Sequence, residues 1–139
     1  MPIEGGPGQA PDGPGLDARL QGLLHLIDVP AAPALVRAAV VHAETACARP
    51  FTAGNAAVGR LLARHLVTRD ALEPTGVAVA ELWAARVPGG YAQALAAYAS
   101  GSAEGVVDWV LWQAEALLVG IEEGARVCRA VQAGTTAVG

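Results

Sequence analysis

The chain has 139 residues, a net charge of −4 and 53% apolar residues, of which few are aromatic (4% of the chain). Its nine basic residues are all arginines, scattered along the sequence, so no basic stripe is available to track a phosphate backbone and nucleic-acid binding is not expected. The longest apolar stretch, residues 106–121, is interrupted by Asp108, Gln113 and Glu115, which excludes a membrane-spanning helix.

Other bounds follow from the same composition. A core short of aromatics must be built from Ala, Leu and Val, and Ala and Leu are the strongest helix formers among apolar residues, so the expected fold class is all-α. The length suits one domain. A mean hydropathy of +0.39 is high for a lone soluble chain. Either the helices bury more than one face or a partner covers apolar surface. The start Met-Pro-Ile-Glu has neither the basic residues nor the apolar run of a signal peptide, and Cys47 and Cys128 have no metal-ligand spacing. The cytoplasm is the expected compartment.

In chain order, residues 1–15 are rich in Gly and Pro and are expected to be a flexible lead-in. Leu16, Leu20, Leu23, Leu24 and Ile27 follow one helical face, and Pro30 and Pro33 bound a linker. A second helix is expected from Ala34 to Ala48, ended by Pro50. After the loop Thr52-Ala53-Gly54-Asn55, a third is expected over 56–71, with Val58, Leu61, Leu62, His65 and Leu66 as its periodic set. Glu73-Pro74-Thr75-Gly76 reads as a turn. Residues 77–86 read as helix, 91–98 as another, and 103–130 as a long last helix with Gly105, Gly120 and Gly124 as weak points. The organisation expected is a lead-in over 1–15, a six-helix domain over 16–132 and a tail over 133–139.

The loop before the third helix carries the functional signal. The first turn of a helix leaves backbone N–H groups free and presents the positive end of the helix dipole, which together make an anion site. Gly54 permits close approach, Asn55 is a good N-cap, and Arg60 lies within reach of a bound phosphate. Gly-Asn starts are common, so these features alone give a weak signal.

The wider string is more specific. Arg49-Pro-Phe-Thr-Ala-Gly-Asn-Ala-Ala-Val-Gly-Arg60 resembles, without a gap, the H-P-F-x-D/E-G-N-G-R-x-x-R loop of the Fic (Fido) family. Pro50, Phe51, Gly54, Asn55 and Arg60 agree with it. The preceding Val41-His42-Ala43-Glu44 is similar to the helix that leads into the family's loop, and Leu72-Glu73-Pro74 and Tyr91-Ala-Gln-Ala-Leu95 are similar to its later helices. The resemblance implies a Fic-like bundle of about six helices. It also implies transfer of AMP, or another phosphate-containing moiety, from a nucleotide to a protein hydroxyl.

The residues that would perform that transfer are missing. The family's general base, a His, falls at Arg49, whose guanidinium accepts no proton near neutral pH. The magnesium-holding acid falls at Ala53, which offers no ligand oxygen. The loop's second Gly falls at Ala56 and the first phosphate-clamping Arg at Ala57. Loss of a positioned base alone costs about 10²–10⁴-fold in rate. The resemblance therefore implies a pseudoenzyme that acts by binding a nucleotide or a protein. Gly54, Asn55, Ala56, Gly59 and Arg60 are its candidate phosphate-binding residues, magnesium is not expected, and no catalytic residue is assigned. A partner protein or a second copy is the expected macromolecular partner. The alternatives are a divergent transferase with another base, such as His42, and a ligand-free helical interaction module.

Elsewhere the plainer readings are preferred. His42, among Val40, Val41 and Ala43, reads as a hydrogen-bonded packing residue. Arg49 reads as a helix C-terminal charge, with a phosphate contact as its functional alternative. Cys47 reads as a small hydrophobe, since apolar surroundings raise a thiol's pKa. Trp83, Trp109, Trp112, Tyr91 and Tyr98 read as core or interface anchors, and Glu122 and Glu123 as a solvated face.

Overall fold

The computed structural model describes residues 14–135, and over them the chain is all-helical. Six helices follow one another: α1 (Pro14–Asp28), α2 (Ala34–Ala48), α3 (Asn55–Arg69), α4 (Glu81–Arg86), α5 (Gly90–Ala99) and α6 (Ala103–Gln132). The expected lead-in and tail lie largely outside the described residues. Where the lead-in overlaps them it gives way to helix. Pro14 opens α1, a first helical position that suits proline because no N–H is needed there. The contacts divide the chain between Leu72 and Glu73 into two compact units, at the turn expected over 73–76.

In the first unit α2 packs on α3 and α1. Its core is Leu23, Ala38, Val41 and Leu66, with Leu26, Ile27, Leu62, Ala63 and Val67 against it. Two expected faces are corrected. Leu24 points outward, 51% exposed, and on α3 both Leu61 and His65 are exposed. The reason lies at Gly59, where an added Cβ would sit 2.8 Å from the carbonyl oxygen of His42. That close approach sets the rotation of α3, so Asn55, Gly59 and Leu66 are buried and Leu61, about 100° round the helix from Leu62, turns to solvent.

The end of α1 is held by arginine. The last carbonyls of a helix have no partner within it. Arg37, 2% exposed, donates from Nε to the Leu26 carbonyl (3.0 Å) and from a terminal nitrogen to the Ile27 carbonyl (3.1 Å), and its other nitrogen meets the Asp70 carboxylate at 2.6 Å. Arg69 also donates to Ile27 O (2.7 Å) and to Asp70. These two guanidinium groups hold the Asp70 carboxyl down to about 2, the hydrogen bond from Arg69 acting most strongly.

The second unit is built differently. Buried Glu73 folds the turn by accepting from the Thr75 N–H (3.0 Å), the Thr75 hydroxyl and the Ala78 N–H (3.4 Å). Those hydrogen bonds, led by the hydroxyl, lower its carboxyl pKa. The helix expected from Val77 begins only at Glu81. Residues 77–79 instead lie along α6, with the Val79 N–H donating to Gly120 O at 3.0 Å. A Cβ at Gly120 would be 2.7 Å from the Val79 carbonyl carbon, and one at Gly124 would meet the Val77 carbonyl. Gly105 likewise faces the Ala97 carbonyl of α5. The glycines expected to weaken α6 are the points where other backbone reaches it. Trp109, fully buried, is flanked edge-on by Tyr91 (5.7 Å between ring centroids) and Tyr98 (6.5 Å).

Candidate functional site

The loop between α2 and α3 begins with a strained residue. Arg49 closes α2 in the left-handed region (φ 50°, ψ 56°), its N–H donating to Thr45 O at 3.2 Å. That conformation crowds any residue with a Cβ. The same segment then passes through Pro50 and Phe51 to Gly54, which is the N-cap of α3 and also left-handed (φ 75°, ψ 13°).

Asn55 does not cap α3. It is the first helical residue, and its amide turns back to the loop: the Phe51 N–H donates to Oδ1 at 2.9 Å and Nδ2 donates to the Phe51 carbonyl at 3.0 Å. This two-bond clasp buries Asn55 (7% exposed) and explains why loop and helix start stay joined although no side chain caps the helix. Phe51 sets the loop through its backbone, since its ring is half exposed.

The expected phosphate-binding residues separate into two groups. Gly54 and Arg60 are exposed and Ala56 is half-buried, and a Cβ built on Gly54 meets no atom within 4 Å, so a ligand can approach the backbone there. The first intrahelical bond runs from the Val58 N–H to Gly54 O, and the N–H groups of Ala56 and Ala57 meet no acceptor among the described residues. Asn55 and Gly59 are buried and committed to packing. Ala53 is exposed, and among the described residues no three His, Cys, Asp or Glu side chains gather where a metal ion could sit.

The neighbouring groups are structural. His42 is 4% exposed, with its carbonyl oxygen and ring pressed on Gly59, which fits its reading as a packing residue. Burial pushes the Cys47 thiol up, the Glu44 carboxylate adds to this and Arg19 opposes it, leaving a poor nucleophile. Sequence reasoning missed Arg37, the most consequential polar residue of this unit. An arginine three residues into an apolar helix, with an acid at the end of the next helix, was the available signal.

No family model matches the chain, and no curated protein and no solved structure matches it either. Among the described residues no helix is long and apolar enough to cross a membrane.

Proposed function

We propose that the chain is a binding protein with a degenerate Fic-like loop, which holds the phosphate of a nucleotide without transferring it. The observation that carries this reading is the start of α3. There Gly54 is open, the Ala56 and Ala57 N–H groups are free, and Arg60 is an exposed cation with no ion-pair partner among the described residues. Free N–H groups, the helix dipole and a guanidinium favour the same kind of ligand. The Arg49 and Ala53 positions supply neither a base nor a metal ligand, which favours binding without transfer.

A thermal-shift panel of nucleotides tests it. A nucleotide that binds only the folded state at 100 times its Kd adds about 2.7 kcal/mol of stability. The shift is expected with and without magnesium, and its loss is expected in Arg60→Ala. Incubation with ATP and magnesium is expected to leave no AMP on the chain or on added proteins. Labelling that disappears in Arg60→Ala overturns the non-catalytic reading, and a flat panel overturns nucleotide binding.

A second reading rests on α6. Val107, Leu111, Leu118 and Ile121 are exposed, and with Ala114, Ala125 and Cys128 they keep alternating four- and three-residue steps. A seam of that period suits a second helix. It supports association with another copy or a helical partner, and light scattering of the wild type against Leu118→Glu measures it.

A further inference from the structure

A cleft within the second unit, of about 430 Å³, lies between α4, α5 and α6. Its apolar part is formed by Trp83, Trp112 and Leu111, and its polar part by Gln93, Asp108 and Glu115. Asp108, Leu111, Trp112 and Glu115 are spaced i, i+3, i+4 and i+7, so one face of α6 brings both carboxylates to the same wall, with an indole between them. The two indoles are 5.8 Å apart between centroids and inclined at 44°.

Three observations set this cleft apart from an ordinary solvated helix face. First, Trp112 is seated by design of the backbone: a Cβ on Gly90 would lie 2.5 Å from its ring, so only glycine leaves room for it there. Second, Asp108 and Glu115 are exposed and meet no cation among the described residues, while Glu123, two turns on, is paired with Arg126. Third, the Trp83 indole N–H is buried and meets no acceptor among the described residues. The surroundings favour positive charge, because residues 73–139 hold seven acidic residues against three arginines.

We infer that this cleft binds an organic cation on an apolar stem, an alkylammonium or guanidinium group. The stem lies on the indoles, and the charge sits against the ring faces and between Asp108 and Glu115. Aromatic faces attract cations through their quadrupole, and carboxylates beside them select charged over neutral ligands. The site shares no residue with the loop between α2 and α3 and stands whether or not that loop binds a nucleotide.

The same chemistry is carried by a free diamine and by a lysine side chain of a protein, so two probes are used on the full chain: cadaverine and Nα-acetyl-lysine amide. Binding is read from the indole N–H resonances in proton–nitrogen spectra. Saturable shifts are expected at Trp83 and Trp112, with Trp109, sealed in the core, as the internal control. The double variant Asp108→Asn, Glu115→Gln, confined to exposed positions, is expected to weaken binding about tenfold, and added salt to weaken it in the wild type but not in the variant. Gly90→Ala is expected to displace Trp112 and abolish the shifts. A response to cadaverine alone identifies a free amine as the source, and a response to both probes admits a protein side chain. No response to either probe overturns the proposal. So does an equal response to neutral pentan-1-ol, or an unchanged affinity in the double variant.

Discussion

The two units of this chain draw on the same few residue types and solve the same packing problem in different ways. The first has one glycine joint, Gly59 of α3 on the His42 carbonyl of α2, and otherwise relies on side chains: Arg37 and Arg69 on the carbonyls that end α1, and Asn55 clasping Phe51. The second joins them with backbone, placing Gly105, Gly120 and Gly124 of α6 against the carbonyls of Ala97, Val79 and Val77. The difference teaches where each unit is vulnerable. A side-chain joint fails when a donor is removed. A glycine joint fails when a single methyl is added. All three tryptophans and both tyrosines lie in the second unit, so tryptophan fluorescence follows that unit alone.

The largest effect is expected at Gly105. A Cβ there would lie closer to the Ala97 carbonyl oxygen than real Cβ atoms come, and the neighbour is backbone, which cannot swing aside. Gly105→Ala should lower stability by about 3 kcal/mol, at the upper end for overpacking, even though alanine is the better helix former. Denaturant unfolding followed by tryptophan fluorescence measures it. A neutral or stabilising result would show that α5 and α6 are not in such close contact.

Arg37→Met comes next and probes the other kind of joint. Methionine keeps much of the stem but leaves the Leu26 and Ile27 carbonyls and the Asp70 carboxylate short of their donor, so a loss of about 2–3 kcal/mol is expected. The same comparison has a pH signature. The folded Asp70 carboxyl stands at about 2, below its unfolded value of about 3.9. It therefore contributes stability that is fully present above the unfolded value and is lost as pH falls through the folded one. Acid titration of the far-ultraviolet circular dichroism should show Asp70→Asn removing part of the pH dependence between about pH 4 and pH 2. An unchanged acid limb would break the link to Asp70.

The sequence made the fold class plain because the helix signals are local. Apolar periodicity, Pro30 and Pro33 before α2, and Pro50 after it place α2 at the residues where it is found. Facing was less legible. Leu61 and Leu62 are chemically equal, and only the contact of Gly59 with His42, which depends on tertiary structure, decides which turns inward. Val77–Ala80 misled for a similar reason, since the backbone of that segment is claimed by α6 rather than by its own helix. At the loop, the string Gly54-Asn55 marked the turn correctly. It could not show that the Asn55 amide faces back to Phe51 instead of toward a ligand.

The smallest effects test strain. In the second unit each described residue with positive φ is a glycine, whereas the first unit places Arg49 (φ 50°) and Ala71 (φ 60°) there. Ala71 ends α3 with the paired bonds Leu72 N–H to Val67 O and Ala71 N–H to Thr68 O, an arrangement that favours glycine. Ala71→Gly should therefore raise stability by about 0.5–1 kcal/mol and leave the proposed nucleotide binding unchanged. Arg49→Gly relieves the same kind of strain and should raise stability by a similar amount. Its effect on binding is the informative part. Strained residues persist where surrounding structure or function holds them. If the Arg49 guanidinium contacts the bound phosphate, the variant gains stability and loses nucleotide affinity together, and Ala71→Gly shows the gain without the loss. If both variants bind as the wild type does, Arg49 is only the end of α2, and the proposed anion site reduces to Arg60 and the start of α3.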